Sequence, residues 1–68
     1  TTSEHMLTLV SESVATEAPN ADGAIRVRDM PGHYCSLTQL KIPGYLLLFP
    51  IRLSDGRDVY VYMKVPSF

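Results

Sequence analysis

The amino-acid sequence predicts a small all-β domain, a four- to five-stranded antiparallel sheet or open SH3-like barrel with one short helical turn. An Asp-Gly pair at positions 55 and 56 stands between two β-prone segments, which is the strongest short-range signal of a hairpin. Upstream, apolar and charged residues alternate over residues 24–29, as in a strand with one buried face. The alternative prediction is an α+β fold in which an N-terminal helix packs on the sheet.

The chain is so short that it can form only one small hydrophobic core. A protein of 68 residues buries only about 60% of the surface that its unfolded form exposes, so its stability is marginal. Residues 1–5 are interpreted as a cloning remnant, because the His-Met pair at positions 5 and 6 is what a CATATG site encodes. A single β domain is therefore expected over residues 6–68.

The first segment, residues 6–18, fits two kinds of secondary structure. Apolar and other residues alternate over residues 7–10 as in a strand, but the spacing also fits a helix that ends before Pro19. Several residues here are β-branched, and such residues favour strands. The sequence therefore predicts a strand over about residues 6–13, with a helix as the alternative.

Two further elements are predicted in the middle of the chain. In the strand over residues 24–29, Ile25 and Val27 are expected to face the core, with Arg26 and Arg28 facing solvent. Farther on, Ser-Leu-Thr-Gln at residues 36–39 matches a capping box. It predicts one helical turn over residues 36–41, with a strand as the alternative.

The hairpin is predicted to join strands over about residues 45–53 and 57–65. A three-residue loop, Ser54-Asp55-Gly56 with Gly56 at positive φ, pairs Leu53 with Arg57 and separates the two classes of side chain. One face then carries Leu47, Phe49, Ile51, Leu53, Val59, Val61, Met63 and Val65. The other carries Leu48, Pro50, Arg52, Asp58, Tyr60, Tyr62 and Lys64. Pro50 cannot donate to a ladder, so its strand is expected at an edge or beside a bulge.

The residues that could support catalysis or bind a metal are too few to predict either. His33 and Cys35 would share a face of a strand, but a thiol nucleophile also needs a third, orienting group, and nothing marks one. A metal site needs three or four ligands, and only His5 remains to join this pair. The sequence therefore predicts no enzyme activity, no metal and no cofactor.

The apolar runs and the cysteine content indicate where in the cell the protein is expected. The longest apolar run, residues 45–51, is far shorter than the roughly 20 residues that cross a bilayer. No basic region precedes an apolar stretch near the N-terminus, and a lone cysteine cannot form an intramolecular disulfide. A cytoplasmic protein without membrane contact is the expectation.

Two candidate surfaces lie on the tyrosine-bearing face of the predicted hairpin. Tyrosine and arginine are enriched at protein interfaces, and apolar groups on both sheet faces require a second covering layer. The predicted interaction surface consists of Leu48, Pro50, Arg52, Tyr60, Tyr62 and Lys64. Alternatively, tyrosines flanked by cations could stack the bases of single-stranded nucleic acid. That surface would consist of Arg26, Arg28, Arg52, Tyr60, Tyr62 and Lys64.

The net charge, rather than its distribution, favours the first of these surfaces. Residues 1–23 hold four acidic side chains and no Lys or Arg, whereas residues 24–68 hold six cations and three acids. The net charge of −1 lacks the basic footprint of a dedicated nucleic-acid binder. The predicted function is a non-enzymatic protein-interaction module, acting as a homo-oligomer or as a regulator docked on a larger protein. The alternative is weak binding of single-stranded nucleic acid.

Overall fold

The computed structural model describes residues 2–66 and shows one helix and a four-stranded antiparallel sheet, an α+β arrangement. The elements are α1 (Thr2–Thr16), β1 (Ile25–Arg26), β2 (His33–Ser36), β3 (Tyr45–Arg52) and β4 (Asp58–Lys64). Across the sheet the strand order is β1-β2-β4-β3. The all-β class is therefore only partly matched: the predicted small sheet is present, but the N-terminal segment is the helix of the alternative prediction.

The predicted strand over residues 6–13 is wrong, because helix α1 occupies this segment. Buried and half-buried side chains recur at helical spacing, at Met6, Leu9, Val10, Ser13 and Val14. Four hydroxyls also bond the carbonyl four residues earlier: those of Thr8, Ser11, Ser13 and Thr16. These bonds occupy polar side chains that would otherwise favour extended backbone. Packing of one helical face on the sheet thus overrides β-propensity. The helix runs across the predicted boundary at Met6.

One row of directly opposed residues defines the face of the sheet that α1 covers. Ile25 pairs with Cys35, Cys35 with Val61, and Val61 with Phe49. Residues opposed in this way project from the same face. Leu9 and Val10 of α1 pack in one cluster with the first three members of the row. We call this side of the sheet the helix face and the other side the tyrosine face.

The β3–β4 hairpin confirms the predicted loop and most of the predicted register. Leu53 donates its N–H to the Arg57 carbonyl at 2.8 Å, and Gly56 donates to Leu53 at 3.0 Å. Gly56 has φ +90°, the positive value that the three-residue loop requires. Pairs from Arg52–Asp58 to Phe49–Val61 follow the prediction.

The register of the hairpin changes at Leu48, where β3 carries one extra residue. Leu47, rather than Leu48, lies opposite Tyr62, so Leu47 belongs to the tyrosine face and not to the predicted core face. A bulge of this kind bends the strand and strengthens its twist. The prediction failed here because the apolar run shows no alternation that could fix the register.

The predicted alternation over residues 24–29 is confirmed, although the strand is shorter. Ile25 and Val27 are buried and the two arginines are exposed. The strand ends at Arg26 because Asp29 has φ 59°, and a turn closes when Met30 donates its N–H to the Val27 carbonyl at 3.3 Å. Positive φ is compatible with aspartate but not with continued extended structure.

The predicted helical turn over residues 36–41 is also wrong. Ser36 is the last residue of β2, and its hydroxyl accepts the N–H of Thr38 at 3.2 Å instead of capping a helix. The N–H of Leu40 is used by Tyr62 on the sheet, at 2.7 Å from the phenolic oxygen. Residues 37–44 therefore form an irregular segment across the tyrosine face, which we call the strap.

Candidate interaction surface

Strand β3 lies at the edge of the sheet, and three of its apolar side chains are exposed. Phe49 stands directly opposite Val61 on the helix face, yet Phe49 is 41% exposed and Val61 is 0% exposed. Leu46 is 56% exposed and Leu48, in the bulge, is 36% exposed. These three side chains form an apolar surface on one edge of the domain. We call it the β3 surface.

The β3 surface carries no charge of its own. No Lys, Arg, Asp or Glu occurs in residues 45–51. The nearest charged side chain along the strand is Arg52, which donates to the Asp58 carboxylate at 2.9 Å. Both members of this ion pair are well exposed, so it contributes less than about 1 kcal/mol to stability. Its effect is to neutralise the cation that borders the surface.

The backbone of β3 is poorly suited to pairing with another strand. Because Leu53 and Arg57 form a hydrogen-bonded pair, alternation along the ladder makes Pro50–Tyr60 a non-hydrogen-bonded pair. The nitrogen of Pro50 therefore faces the open side of β3, where it offers no donor. The bulge at Leu48 also interrupts the edge. Both features protect sheets from edge-to-edge pairing, so binding here must use side chains.

The structure brings together only part of the predicted interaction surface. Pro50, Arg52 and Lys64 are exposed, as is Leu48, while Tyr60 is half-buried. Tyr62 is 2% exposed, so its ring is not available to a partner. The strap covers it, and its hydroxyl accepts the Leu40 N–H. Sequence reasoning assigned the covering layer to a second chain, whereas the chain's own strap supplies it at this position.

Two exposed members of the β3 surface, Leu46 and Phe49, were absent from the predicted interaction surface. Phe49 was placed correctly on the face of Val61, and on that ground it was expected to belong to the core. The missing information was how far the core extends across β3: Ile51 packs against the core cluster, whereas Phe49 remains exposed. The uninterrupted apolar run beside a proline was the only feature of the sequence that pointed to this edge.

All four tyrosines project from the tyrosine face, but they do not form an open stacking platform. Tyr34 lies opposite Tyr62, Tyr60 is two residues from Tyr62, and Tyr45 lies opposite Lys64. The rings of Tyr34 and Tyr45 meet edge to face, with centroids 5.2 Å apart and planes at 86°. Burial, together with its neighbour Tyr34, raises the pKa of Tyr45. These rings mainly contact the protein itself.

The arrangement of cations also limits the predicted nucleic-acid surface. Arg26 is exposed and lies opposite Tyr34, on the tyrosine face. Arg52 is engaged by Asp58, and the burial of Tyr62 removes one of the two rings proposed to stack bases. Arg28 is exposed beyond the end of β1, at the opposite edge of the sheet from Arg52. The six residues therefore do not form one continuous exposed surface.

The His33–Cys35 pair lies on β2, but the environment of the thiol is apolar. Cys35 is completely buried, and burial raises its pKa from 9.0 to about 11, so the reactive thiolate is disfavoured at neutral pH. The Nδ1 atom of His33 lies 3.3 Å from the Pro31 carbonyl oxygen. Within residues 2–66, no three His, Cys, Asp or Glu side chains come together as metal ligands.

In the part that the structure describes, no helix combines the length and hydropathy needed to cross a bilayer. Comparison with protein-family models, with curated proteins and with solved structures finds no match to this chain. The function must therefore be inferred from its own residues.

Proposed function

We propose that the chain is a non-enzymatic protein-interaction module that acts as a homodimer through the β3 surface. The observation that supports this proposal is the difference in exposure between Phe49 and Val61. The two residues lie directly opposite each other on the same face of the sheet, yet Phe49 is 41% exposed and Val61 is 0% exposed. Phe49 is exposed on the strand next to the buried Val61, and a second layer of protein would cover it. Docking on a larger protein would use the same side chains.

The sizes of the buried and exposed side chains support a second copy of the chain as the covering layer. The fully buried side chains are small, namely Val10, Val27, Val59, Val61, Cys35, Ser13 and Ser36. Larger apolar side chains, among them Leu46 and Phe49, are partly in water. Burying a leucine or phenylalanine contributes about 1.5–3 kcal/mol. That gain matters for a chain whose own core is limited by its length.

A symmetric dimer is the simplest assembly that buries the β3 surface. A twofold axis places a surface against its own copy, so every residue meets itself or its neighbours. Because residues 45–51 carry no charge, this arrangement brings no like charges together within the contact. Pairing of the two β3 backbones is hindered by Pro50, so we expect the two copies to pack through Leu46, Leu48 and Phe49.

Sedimentation equilibrium from low to high micromolar concentration tests the proposal. The unmodified chain should approach twice its monomer mass of 7.6 kDa, and its melting temperature should rise with concentration. Phe49→Glu should give a monomer, because a carboxylate would be buried without a partner. Leu37→Glu is the matched control, since Leu37 is also 41% exposed but lies on the strap.

Two results would count against the homodimer. One is a monomeric mass at every concentration together with concentration-independent melting. The other is a dimer that Leu37→Glu dissociates and Phe49→Glu leaves intact, which would place the contact on the tyrosine face. Circular dichroism of each variant establishes that a change in mass does not come from unfolding.

A further inference from the structure

A second feature, independent of the β3 surface, is the groove between the strap and the tyrosine face. Its volume is about 490 Å³, within the range of about 300–1,000 Å³ that is usual for small-molecule sites. Apolar side chains and two tyrosine rings form most of its lining: Leu40, Ile42, Pro43, Leu47, Tyr45 and Tyr62. Gln39 and Lys41 complete it.

The wall formed by the strap is held in place by hydrogen bonds along its length. Leu40 donates to the phenolic oxygen of Tyr62 at 2.7 Å. At the far end, Tyr45 donates to the Ile42 carbonyl at 3.1 Å, and Val65 donates to the Gly44 carbonyl at 2.8 Å. The groove therefore exists before any ligand binds, which reduces the entropic cost of binding.

Tyr62 supplies a hydrogen-bond donor at the wall of the groove. Its oxygen already accepts the Leu40 N–H, and a tyrosine hydroxyl has one proton of its own to donate. Among residues 2–66, no acceptor for that proton is found. Tyr62 as a whole is 2% exposed, and it is one of the residues that line the groove. An acceptor atom on a ligand in the groove would satisfy the hydroxyl proton.

The charge of the lining selects the kind of acceptor. Among residues 2–66, Lys41 is the only charged residue that lines the groove. An acidic group, Asp22, lines a smaller adjoining cavity of about 120 Å³ together with Ile42 and Tyr45. The groove thus combines the ammonium group of Lys41, the hydroxyl of Tyr62 and apolar walls. This combination is complementary to an anion that carries an apolar chain.

We infer that this groove binds a small monocarboxylic acid with an apolar chain. The hydrocarbon chain would lie against Leu40, Ile42 and Leu47, and the carboxylate would accept the Tyr62 proton near the ammonium group of Lys41. An uncharged molecule of the same length would keep the apolar contacts and lose the interaction with Lys41. The inference therefore predicts selectivity for acid over alcohol.

Titration of the unmodified protein with octanoate and with 1-octanol tests this selectivity. Binding is followed by the ¹H–¹⁵N resonances, and the site is located by shifts at Leu40, Lys41 and Tyr45. Octanoate should bind saturably and more tightly than octanol. Shifts confined to Leu46 and Phe49 would instead place the ligand on the β3 surface and overturn the inference.

Two variants separate the roles of charge and hydroxyl. Lys41→Gln should weaken octanoate binding by up to about fivefold, as expected for an exposed ion pair, and should leave octanol binding unchanged. Tyr62→Phe should weaken octanoate binding by about tenfold or more, because a hydrogen bond to a charged group is lost. Arg28→Gln and Tyr60→Phe are the matched controls, since neither residue lines the groove.

The octanol titration shows whether a variant has lost the groove itself. If Tyr62→Phe also abolishes octanol binding, the substitution has displaced the strap and removed the groove. Lys41→Gln then tests by itself whether the groove prefers the acid to the alcohol. Selective loss of octanoate in either variant supports the inference. Equal binding of acid and alcohol by the unmodified protein, or no saturable binding of either at millimolar concentration, refutes it.

Discussion

The backbone N–H of Arg28 donates a 2.6 Å hydrogen bond to the side-chain oxygen of Ser13. Ser13 is completely buried, and its own proton goes to the Leu9 carbonyl at 2.8 Å. One hydroxyl thus joins helix α1 to the segment that follows β1, with both its donor and one acceptor position used. This polar contact lies between the only helix of the described chain and the sheet that it covers.

Replacing Ser13 should therefore destabilise the fold. Ser13→Ala leaves the Arg28 N–H without its partner in a part-buried position, and the free energy of unfolding should fall by about 0.5–1.5 kcal/mol. Ser11→Ala is the matched control, since Ser11 makes the same helical bond to Leu7 but none outside α1. Urea unfolding measures both. Equal effects of the two substitutions would show that the Arg28 contact contributes nothing.

The hairpin loop offers a second test of stability. Gly56 has φ +90°, and within residues 2–66 no heavy atom outside Gly56 and its two chain neighbours lies within 4 Å of the position that a Cβ would occupy. Gly56→Ala should therefore lower the free energy of unfolding through backbone strain alone, by about 1 kcal/mol or more. D-alanine at the same position, introduced by chemical synthesis, should be tolerated. If both enantiomers destabilise equally, the cost does not come from φ.

Pro50 should limit association of the β3 edge. Pro50→Thr restores an outward N–H on an exposed strand, so assemblies larger than a dimer should form and thioflavin T fluorescence should rise over time. Pro43→Thr is the control, because Pro43 is exposed but lies in the strap outside the sheet. A Pro50→Thr protein with the same mass distribution as the unmodified chain would contradict this role.

The buried thiol should make stability depend on pH in the alkaline range. The pKa of Cys35 is raised from 9.0 to about 11, so the unfolded chain loses its thiol proton before the folded chain does. The stabilising contribution is complete below pH 9.0, and it declines as pH rises towards about 11. Cys35→Ala should reduce this decline when denaturant unfolding is measured across the range. Rapid reaction of the native thiol with Ellman's reagent at pH 8 would argue against burial.

The hairpin could be predicted from the sequence because its determinants are local. Asp55-Gly56 fixes the turn, and alternation in β4 assigns each of its side chains to a face. The helical turn at residues 36–41 failed for the opposite reason. Its capping pattern is local, but the Leu40 N–H is taken by Tyr62, which is distant in sequence. No local pattern contains that contact.

The same distinction explains what was missed in the candidate site. Exposure of Phe49 depends on where α1 stops covering the sheet, and burial of Tyr62 depends on the path of the strap. Both are tertiary properties. The sequence located an apolar edge beside Pro50 but could not show which of its two faces remained open.

The strand order has a consequence for synthesis of the chain. Strand β4 lies between β2 and β3 and is the only strand that pairs with both, yet it is the last of the four along the sequence. Until residue 64 has left the ribosome, β2 has only the two-residue β1 as a partner and β3 has none. Nascent chains that end before residue 58 therefore expose the apolar run of β3 without its ladder, and exposed apolar segments with unpaired edges favour misassembly.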